Sequence, residues 1–293
     1  MRFDRWEAER RADRLAEIRS PCRLCPNACG AARRPTELGR CRLGLSARVA
    51  SHGPHFGEER VLVGWAGSGA VFFSGCNLDC RFCQNWRISQ AGEGTDVTDE
   101  ELAAVFLRIQ AAGCHNLNLV TPTPHTASIV RALAVAAGEG FALPVVWNCG
   151  GYESVEVLRW LDGIVDVYMP DVKYGDDDVA ERLSGVRDYV ARSRAALHEM
   201  HRQVGILEVG RDGIARRGML VRHLVLPGGL AGTASVMRFL ADEISADTYV
   251  NVMHQYRPCY RASEVPALRR RISTAEHDEA VRFAMEAGLH RFA

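Results

Sequence analysis

The chain has 293 residues, and 47% of them are hydrophobic, which suits one large domain or a domain with a small extension. Lys and Arg balance Asp and Glu at 36 each, so no net charge draws the chain to nucleic acid or to a membrane surface. The apolar stretches are too short to span a bilayer, and residues 1–19 lack the apolar run of a signal peptide. We therefore expect a cytoplasmic protein with no nucleic-acid or membrane partner, whose ten cysteines serve metal and redox chemistry.

Residues 1–50 are predicted to form a small extension before a domain at 51–293. An arginine-rich segment with Trp6 and Leu15 predicts one amphipathic helix that packs on the rest of the protein. Four cysteines follow it, at gaps suited to one metal site: Cys22, Cys25, Cys29 and Cys41. A structural zinc ion and an auxiliary iron–sulfur cluster both fit four thiolates, and unliganded cysteines are the third alternative.

A second group of cysteines stands on one short loop after an apolar run. Residues 70–73 are apolar strand formers, and Gly75 ends the run. The loop carries Cys76, Cys80 and Cys83, which can ligate three irons of a [4Fe–4S] cluster and leave the fourth iron open to a small molecule. A zinc knuckle, which normally needs four ligands, and three unliganded buried cysteines are the alternatives. The loop follows the carboxyl end of a strand, which is where the active sites of α/β proteins lie.

Strand and helix patterns alternate after this loop. Thr98 and Glu101 form a capping box that predicts a helix to about residue 112. Further strands are predicted at 116–120, 144–148, 164–169, 218–226 and 248–253, and further helices at 125–137, from 154, over 176–205 in two pieces, and at 235–244 and 273–288. Alternating strands and helices predict an α/β fold with parallel strands and right-handed crossovers. We expect a parallel (β/α) barrel of the TIM type, partial and built of six units, with an open doubly wound sheet as the alternative.

Polar residues gather where the predicted strands end. They are Thr121, His125, Asn148, Asp171, Lys173, Arg222, His223, Asn251, His254 and Gln255. In a parallel barrel these ends share one mouth, so residues far apart in sequence are expected to line one cavity.

The C-x3-C-x2-C spacing, with Phe82 directly before the last cysteine, resembles the radical S-adenosylmethionine superfamily. The resemblance implies that Cys76, Cys80 and Cys83 ligate a [4Fe–4S] cluster whose open iron binds S-adenosylmethionine, and that they are the catalytic residues. Reductive cleavage then gives a 5′-deoxyadenosyl radical, with an electron donor such as a flavodoxin or a ferredoxin. The expected cofactor-binding residues are Phe82 near the adenine, Asp171 near a hydroxyl, Lys173 and Arg222 near the carboxylate, and Thr121, Asn148 and His223 at the mouth.

From about Cys22 to its end, the chain is similar to pyruvate formate-lyase activating enzymes. The matching runs are residues 25–30, 72–78, 82–85, 168–174 and 222–228. Activating enzymes abstract a hydrogen atom from a glycine of a partner glycyl-radical enzyme, and the resemblance implies that Asp171 and Lys173 contact S-adenosylmethionine, with Arg222 and His223 less surely placed.

Two departures from that subgroup put its substrate in doubt. Activating enzymes carry a Gly-Gly-Glu-Pro run after the second strand, where this chain has residues 120–125. Of their monovalent-cation site only Met169 matches, since Asn148 and Cys149 replace the other ligands. The substrate is therefore predicted to be a partner glycine, a peptide or a small molecule. A small-molecule or peptide enzyme would close its mouth with local segments, for which residues 52–59 and 257–266 are the candidates.

Two other classes of protein compete with a radical enzyme. An electron carrier would gain nothing from an iron without a protein ligand. A zinc-bearing interaction module would not need all three cysteines of the barrel loop, which are present.

Overall fold

One ten-stranded sheet organises residues 5–293, the part of the chain that the computed structural model describes. The strands are β1 (Ala47–His55), β2 (Ser68–Phe73), β3 (Thr95–Val97), β4 (Leu117–Val120), β5 (Val145–Cys149), β6 (Val167–Pro170), β7 (Glu208–Val209), β8 (Ala215–Leu224), β9 (Tyr249–Met253) and β10 (Arg291–Phe292). The helices are α1 (Arg5–Arg19), α2 (Arg60–Val63), α3 (Trp86–Ser89), α4 (Asp99–Ala111), α5 (Thr126–Gly138), α6 (Val155–Trp160), α7 (Asp177–Ser184), α8 (Tyr189–Val204), α9 (Thr233–Phe239) and α10 (Thr274–Glu286). A π-helical turn, Leu240–Ile244, extends α9, and four short 3₁₀ segments lie at Thr123–His125, Pro227–Gly229, Ala262–Glu264 and Pro266–Arg269.

The strand order is β10-β9-β8-β6-β5-β4-β2-β1-β3, with β7 paired to β8. From β2 to β10 the neighbours on this path are parallel, whereas β1, β3 and β7 pair antiparallel. In the described residues the outer strands β3 and β10 do not pair with each other, so the sheet stays open. The predicted parallel α/β fold is confirmed, with β2, β4, β5, β6, β8 and β9 as the six strands of a partial barrel.

The two faces of the sheet bury different residues because strand side chains alternate. On β5, Val145 and Trp147 join the large core that packs the sheet against the surrounding helices. Val146 on the same strand joins a smaller core on the opposite face, where it meets Met169 and Leu62 of α2. The short helix α2 therefore fills the inner side of the partial barrel. The spacing of apolar residues in the sequence did not predict this position.

The predicted helix after Thr98 is present as α4, with the capping box intact. The Thr98 hydroxyl accepts the Glu101 N–H at 3.1 Å, and the Thr98 N–H donates to Glu101 Oε2 at 2.8 Å. Leu102, Val105 and Phe106 are buried on the inner side of α4, as the helical spacing of apolar residues predicts.

The predicted amino-terminal helix is α1, which packs on α5. Its buried residues are Ala8, Ala12 and Leu15, whereas Trp6 is 71% exposed. The interpretation that Trp6 belongs to the packed face was therefore wrong, because small alanines allow close contact between the two helices and leave the indole outside.

Strand β1 was not predicted, and it corrects the expectation for residues 52–59. Gly53 and Pro54 weaken its strand pattern, yet β1 pairs with β2 from Val49 to His55. Because the pairing is antiparallel, His55 lies opposite Ser68, at the amino end of β2. Residues 52–55 therefore run away from the mouth, whereas Glu58 and Glu59 at the end of the segment turn inward to Arg222. β1 also spans residue 50, so the division at this residue stays a prediction.

Among residues 5–293, no helix combines the length and the apolar character that a bilayer span requires.

Candidate active site

The cysteine loop begins where β2 ends, and Gly75 forms its first turn. Gly75 has φ +74°, and a side chain there would meet the carbonyl oxygen of Cys41 at 2.7 Å. Its N–H donates to Ile88 O at 2.9 Å, while the N–H groups of Asp79 and Arg81 donate to the end of α7 at 3.1 and 2.8 Å. The loop is thus held from both sides by backbone hydrogen bonds.

The three thiols of this loop each have a polar partner. Cys76 Sγ accepts the Leu78 N–H at 3.5 Å, Cys80 Sγ accepts the Ser184 hydroxyl at 2.9 Å, and Cys83 Sγ lies 3.1 Å from Ser89 Oγ. Burial raises the pKa of Cys76 and raises that of Cys80 to about 11. Thiolates at these positions therefore need a nearby positive centre.

The donor set of the loop fits a [4Fe–4S] cluster with three protein ligands. Each of the three irons needs one thiolate, and the loop offers three thiols whose charges act on one another. Nowhere in residues 5–293 do three or more His, Cys, Asp or Glu side chains already surround one metal position.

Asp171 and Lys173, which follow β6, form an ion pair next to the loop. Lys173 Nζ lies 2.5 Å from Asp171 Oδ2. Burial acts to lower the pKa of Lys173, but Asp171 and the Cys80 thiol outweigh it, and the pKa is raised. The other carboxylate oxygen of Asp171 is buried and has no partner in the described structure. That oxygen is available to accept a hydrogen bond from a bound molecule, as the sequence-based role of Asp171 requires.

Tyr189 positions this pair, and sequence reasoning missed it. Its hydroxyl lies 3.0 Å from Gly150 O and 2.9 Å from Asp171 O, and it accepts the Lys173 N–H at 2.9 Å. The buried phenol thereby ties the end of β5 to the end of β6. No motif in the sequence marks it, since it lies on α8.

Arg222 is already paired with two carboxylates of its own chain. It donates to Glu58 and, at 2.7 and 3.0 Å, to Glu59, and it reaches Asn148 Oδ1 at 3.5 Å. Asn251 also donates to Glu59, at 2.8 Å. A role for Arg222 towards a ligand carboxylate stays a prediction, and it would require Arg222 to share its N–H groups. The adjacent acids Glu58 and Glu59 were the available signal for this cluster.

His223 and His125 are buried side chains whose rings bond to the protein. His223 Nδ1 lies 2.7 Å from Val172 O, and its Nε2 lies 2.9 Å from Thr233 Oγ1. His125 Nε2 lies 2.8 Å from Ser74 O. Burial lowers the pKa of His223 to about 4 and that of His125 to about 3, so both are neutral at pH 7. His223 has both ring nitrogens engaged, which leaves it little to offer a cofactor.

The other predicted contacts lie at the mouth or beside it. Thr121 has φ +60° and its N–H donates to Asn148 O at 2.9 Å, so the two strand ends meet. Phe82 is buried, with its ring edge-on to Tyr174 and Tyr256 at centroid distances of 6.4 and 6.1 Å. Their roles towards a cofactor stay predictions.

The second segment expected to close the mouth, residues 257–266, does pack on the cysteine loop. The Arg261 N–H donates to Arg81 O at 2.9 Å, and Arg81 pairs with Glu264 at 2.5 Å. The ring of Tyr260 stacks on that of Trp86 at 5.6 Å. One side of the loop is therefore covered by local chain.

The amino-terminal cysteines lie against the same loop. Cys22 and Cys41 are buried, Cys25 is half-buried and Cys29 is exposed. Asn27, in the same turn as Cys25, donates to Asn77 O at 2.7 Å, so the extension contacts the cysteine loop, which the sequence did not indicate.

Residues 70–210 match the family model of the radical SAM superfamily, in which SAM is S-adenosylmethionine. The chain is 34% identical over 278 residues to the uncharacterized protein MJ0674 of Methanocaldococcus jannaschii, a match that covers 92% of this chain and 75% of the relative. It is 24% identical over 227 residues to the uncharacterized protein MJ0808 of the same organism, covering 75% and 61%. The chain therefore belongs to the radical SAM superfamily.

Solved structures share the fold at low identity. The chain is similar to Streptococcus suis SuiB bound to precursor peptide SuiA, with 10% identity, TM-score 0.50 and coverage of 74% of this chain and 46% of that one. It is similar to anSMEcpe with bound AdoMet and Cp18Cys peptide, with 9% identity, TM-score 0.51 and coverage of 75% and 60%. The chain thus spans about half to three-fifths of the solved structures it matches. Superfamily membership makes this chain a radical SAM enzyme and implies a [4Fe–4S] cluster and S-adenosylmethionine.

Replacing His223 should remove part of the acid sensitivity of the protein. The folded-state pKa of about 4 lies below the ordinary 6.5, so at intermediate pH only the unfolded chain binds this proton. Stability is therefore lost as pH falls from 6.5 towards 4. Between about pH 7 and about pH 5, His223 should account for about 2 kcal/mol of the decrease.

Chemical denaturation at both pH values, for the wild type, His223→Gln and the exposed-site control His290→Gln, measures this contribution. We expect a smaller decrease in His223→Gln than in the wild type and in the control. Equal decreases in all three proteins would contradict a neutral buried His223.

Proposed function

We propose that this radical SAM enzyme abstracts a hydrogen atom from a polypeptide substrate. The observation that carries the radical chemistry is the loop of three thiols at the carboxyl end of β2, beside the Asp171–Lys173 pair. When bound, the cluster and S-adenosylmethionine supply one-electron cleavage of a sulfonium bond, and with it a hydrogen-abstracting group. A flavodoxin or ferredoxin of the host, in the cytoplasm, is the electron donor that we expect.

The side chains at the loop have distinct tasks in this proposal. Cys76, Cys80 and Cys83 would hold three irons of the cluster, and the hydrogen bonds from Leu78 and Ser184 hold the sulfurs of Cys76 and Cys80 in place. Lys173 binds the methionine carboxylate, and the unpartnered oxygen of Asp171 accepts a hydroxyl of the nucleoside. Their mutual ion pair fixes both groups before the cofactor arrives.

Two fold neighbours that hold peptides support a polypeptide substrate. A glycine of a glycyl-radical enzyme is one member of this class, and the similarity to pyruvate formate-lyase activating enzymes favours it. The altered runs at Thr121 and Asn148 favour a different polypeptide.

A small-molecule substrate is the second candidate. The segment 257–266 favours it, because its contacts with Arg81 and Trp86 cover one side of the cysteine loop. A long polypeptide would have to approach from the remaining sides.

Ultrafiltration of an anaerobic host extract separates the two candidates. Reduced enzyme with S-adenosylmethionine is incubated with each fraction, and 5′-deoxyadenosine above the substrate-free background is measured. We expect the stimulating activity in the retained fraction, with loss after protease treatment. A stimulating activity that passes the filter and resists protease would reject a polypeptide substrate, and a glycyl doublet in the electron paramagnetic resonance spectrum would identify the activating-enzyme case.

Replacing Cys76, Cys80 and Cys83 by alanine should abolish cleavage of S-adenosylmethionine. Without thiolates the loop cannot hold iron, so neither 5′-deoxyadenosine nor methionine should form after anaerobic reconstitution and reduction. Chromatography of the products measures both. The matched control replaces Cys114, a buried cysteine outside the site, and should retain cleavage. Product formation by the triple variant at the control's rate would refute the assignment.

Lys173→Ala and Asp171→Asn should each weaken binding of S-adenosylmethionine. A charge-assisted hydrogen bond contributes about 1.5–3 kcal/mol, which corresponds to a loss of about ten- to a hundredfold in affinity. Equilibrium binding to the reconstituted protein measures it, with Arg202→Ala, in a surface ion pair, as the control. Wild-type affinity in both variants would assign the pair to structure alone.

A further inference from the structure

The four amino-terminal cysteines lie in two tight backbone turns. In the first turn the Cys22 N–H donates to Ala31 O and the Gly30 N–H to Cys22 O, both at 3.0 Å. In the second turn the Arg42 N–H donates to Gly39 O at 2.8 Å. The Ala28 N–H also donates to Cys25 O at 3.0 Å, so the first turn carries Cys22, Cys25 and Cys29 together.

The same thiols lie near one another. The Gly30 N–H bond to Cys22 O places Cys29 beside Cys22, and Cys25 lies between them in the same turn. They are not yet gathered round one point. Metal binding is coupled to local folding, so an ion or cluster would draw them together.

Arg33 is a buried cation beside these thiols with no carboxylate partner in the described structure. It is 1% exposed, its Nη1 donates to Pro124 O at 2.8 Å, and its Nε has no partner. Its backbone has φ +55°, a conformation that costs free energy for a non-glycine residue. A side chain at Gly39 would meet both Cys41 Sγ, at 3.2 Å, and Arg33 Cγ, at 3.9 Å, so Arg33 lies beside this thiol. A buried unpaired charge is strongly destabilising, so Arg33 requires an anion nearby.

Two asparagines connect this group of thiols to the catalytic loop. Asn27 Nδ2 lies 3.7 Å from Cys25 Sγ and donates to Asn77 O at 2.7 Å. Asn77 is the neighbour of Cys76, whose Sγ lies 3.8 Å from Asn77 Oδ1. Asn77 is fixed in turn by its donation to Tyr152 O at 2.6 Å.

We infer that Cys22, Cys25, Cys29 and Cys41 hold a tetrathiolate metal centre, that buried Arg33 neutralises its negative charge, and that it steadies the catalytic loop through Asn27 and Asn77. Both zinc and an iron–sulfur cluster give such an anionic centre. Arg33 supplies the positive charge that either would need. The inference is independent of the substrate proposed above.

In the Cys76→Ala, Cys80→Ala, Cys83→Ala variant, metal analysis measures the metal at the amino-terminal centre without a contribution from the cysteine loop. We expect zinc, or iron with sulfide, at one centre per chain, and its loss when the four amino-terminal cysteines are also replaced. Zinc identifies a structural ion and iron with sulfide identifies a second cluster; either supports the centre. Neither metal in a folded protein would overturn it.

Arg33 is tested by chelator competition in the same background. Arg33→Leu should release the metal at least about tenfold more readily, because a charge-assisted interaction is lost. Arg33→Lys keeps the charge, guards against misfolding of the leucine variant and should retain most of the affinity. Arg34→Leu, at an exposed neighbour, is the matched control. Unchanged affinity in Arg33→Leu would remove Arg33 from its role as counter-ion.

Hydrogen exchange tests the connection to the catalytic loop. In the background that lacks the three catalytic cysteines, loss of the amino-terminal metal, or Asn27→Ala, should speed amide exchange at residues 76–83. Exchange in α10 serves as the internal control and should not change. Unaltered exchange at 76–83 after the metal has been removed would overturn the coupling.

Discussion

The site depends on the parallel register of the sheet. Because β2, β4, β5, β6 and β8 run in the same direction, their carboxyl ends lie along one edge. The cysteine loop after β2, the strand-end residues Thr121 and Asn148, and the Asp171–Lys173 pair after β6 meet there only for this reason. Antiparallel neighbours would have sent every second strand end to the other edge. The antiparallel strand β1 illustrates this, since it carries His55 away from the mouth.

Charge inside the partial barrel is balanced within the chain. Arg222 lies on the inner side with Glu58, Glu59 and Asn251 around its guanidinium. Removing one partner of such a buried pair would leave an uncompensated charge, at a cost of about 3–5 kcal/mol. The residues before α2 and Arg222, near the carboxyl end of β8, are therefore interdependent, although more than 150 residues separate them. This cluster ties the segment between β1 and α2 to β8 and β9.

The amino-terminal extension is part of the site's architecture. The carbonyl of Cys41 occupies the space that a side chain at Gly75 would need, and Asn27 bonds to the backbone of Asn77. The cysteine loop is therefore enclosed by three parts of the chain: the extension, the end of α7 through Ser184, and the segment around Arg261. A loop that must present three thiols in fixed positions benefits from such support, because loop backbone alone is easily displaced.

The sequence by itself determined the local chemistry and the order of the six parallel strands of the partial barrel. The C-x3-C-x2-C spacing, the capping box at Thr98 and the alternating strands and helices depend on neighbours within about one turn or one strand, so they can be read from short windows. The ends of the predicted elements fall within a few residues of the observed ones for α4, β4, β5 and β9. Only the tertiary structure decided the contacts between distant segments. It paired Arg222 with Glu58 and Glu59, engaged both ring nitrogens of His223, and brought Arg33 to the amino-terminal thiols and Tyr189 to Asp171. These contacts follow from sheet register, burial and crossover geometry, which bring residues together across long separations and leave no periodic signal in the chain.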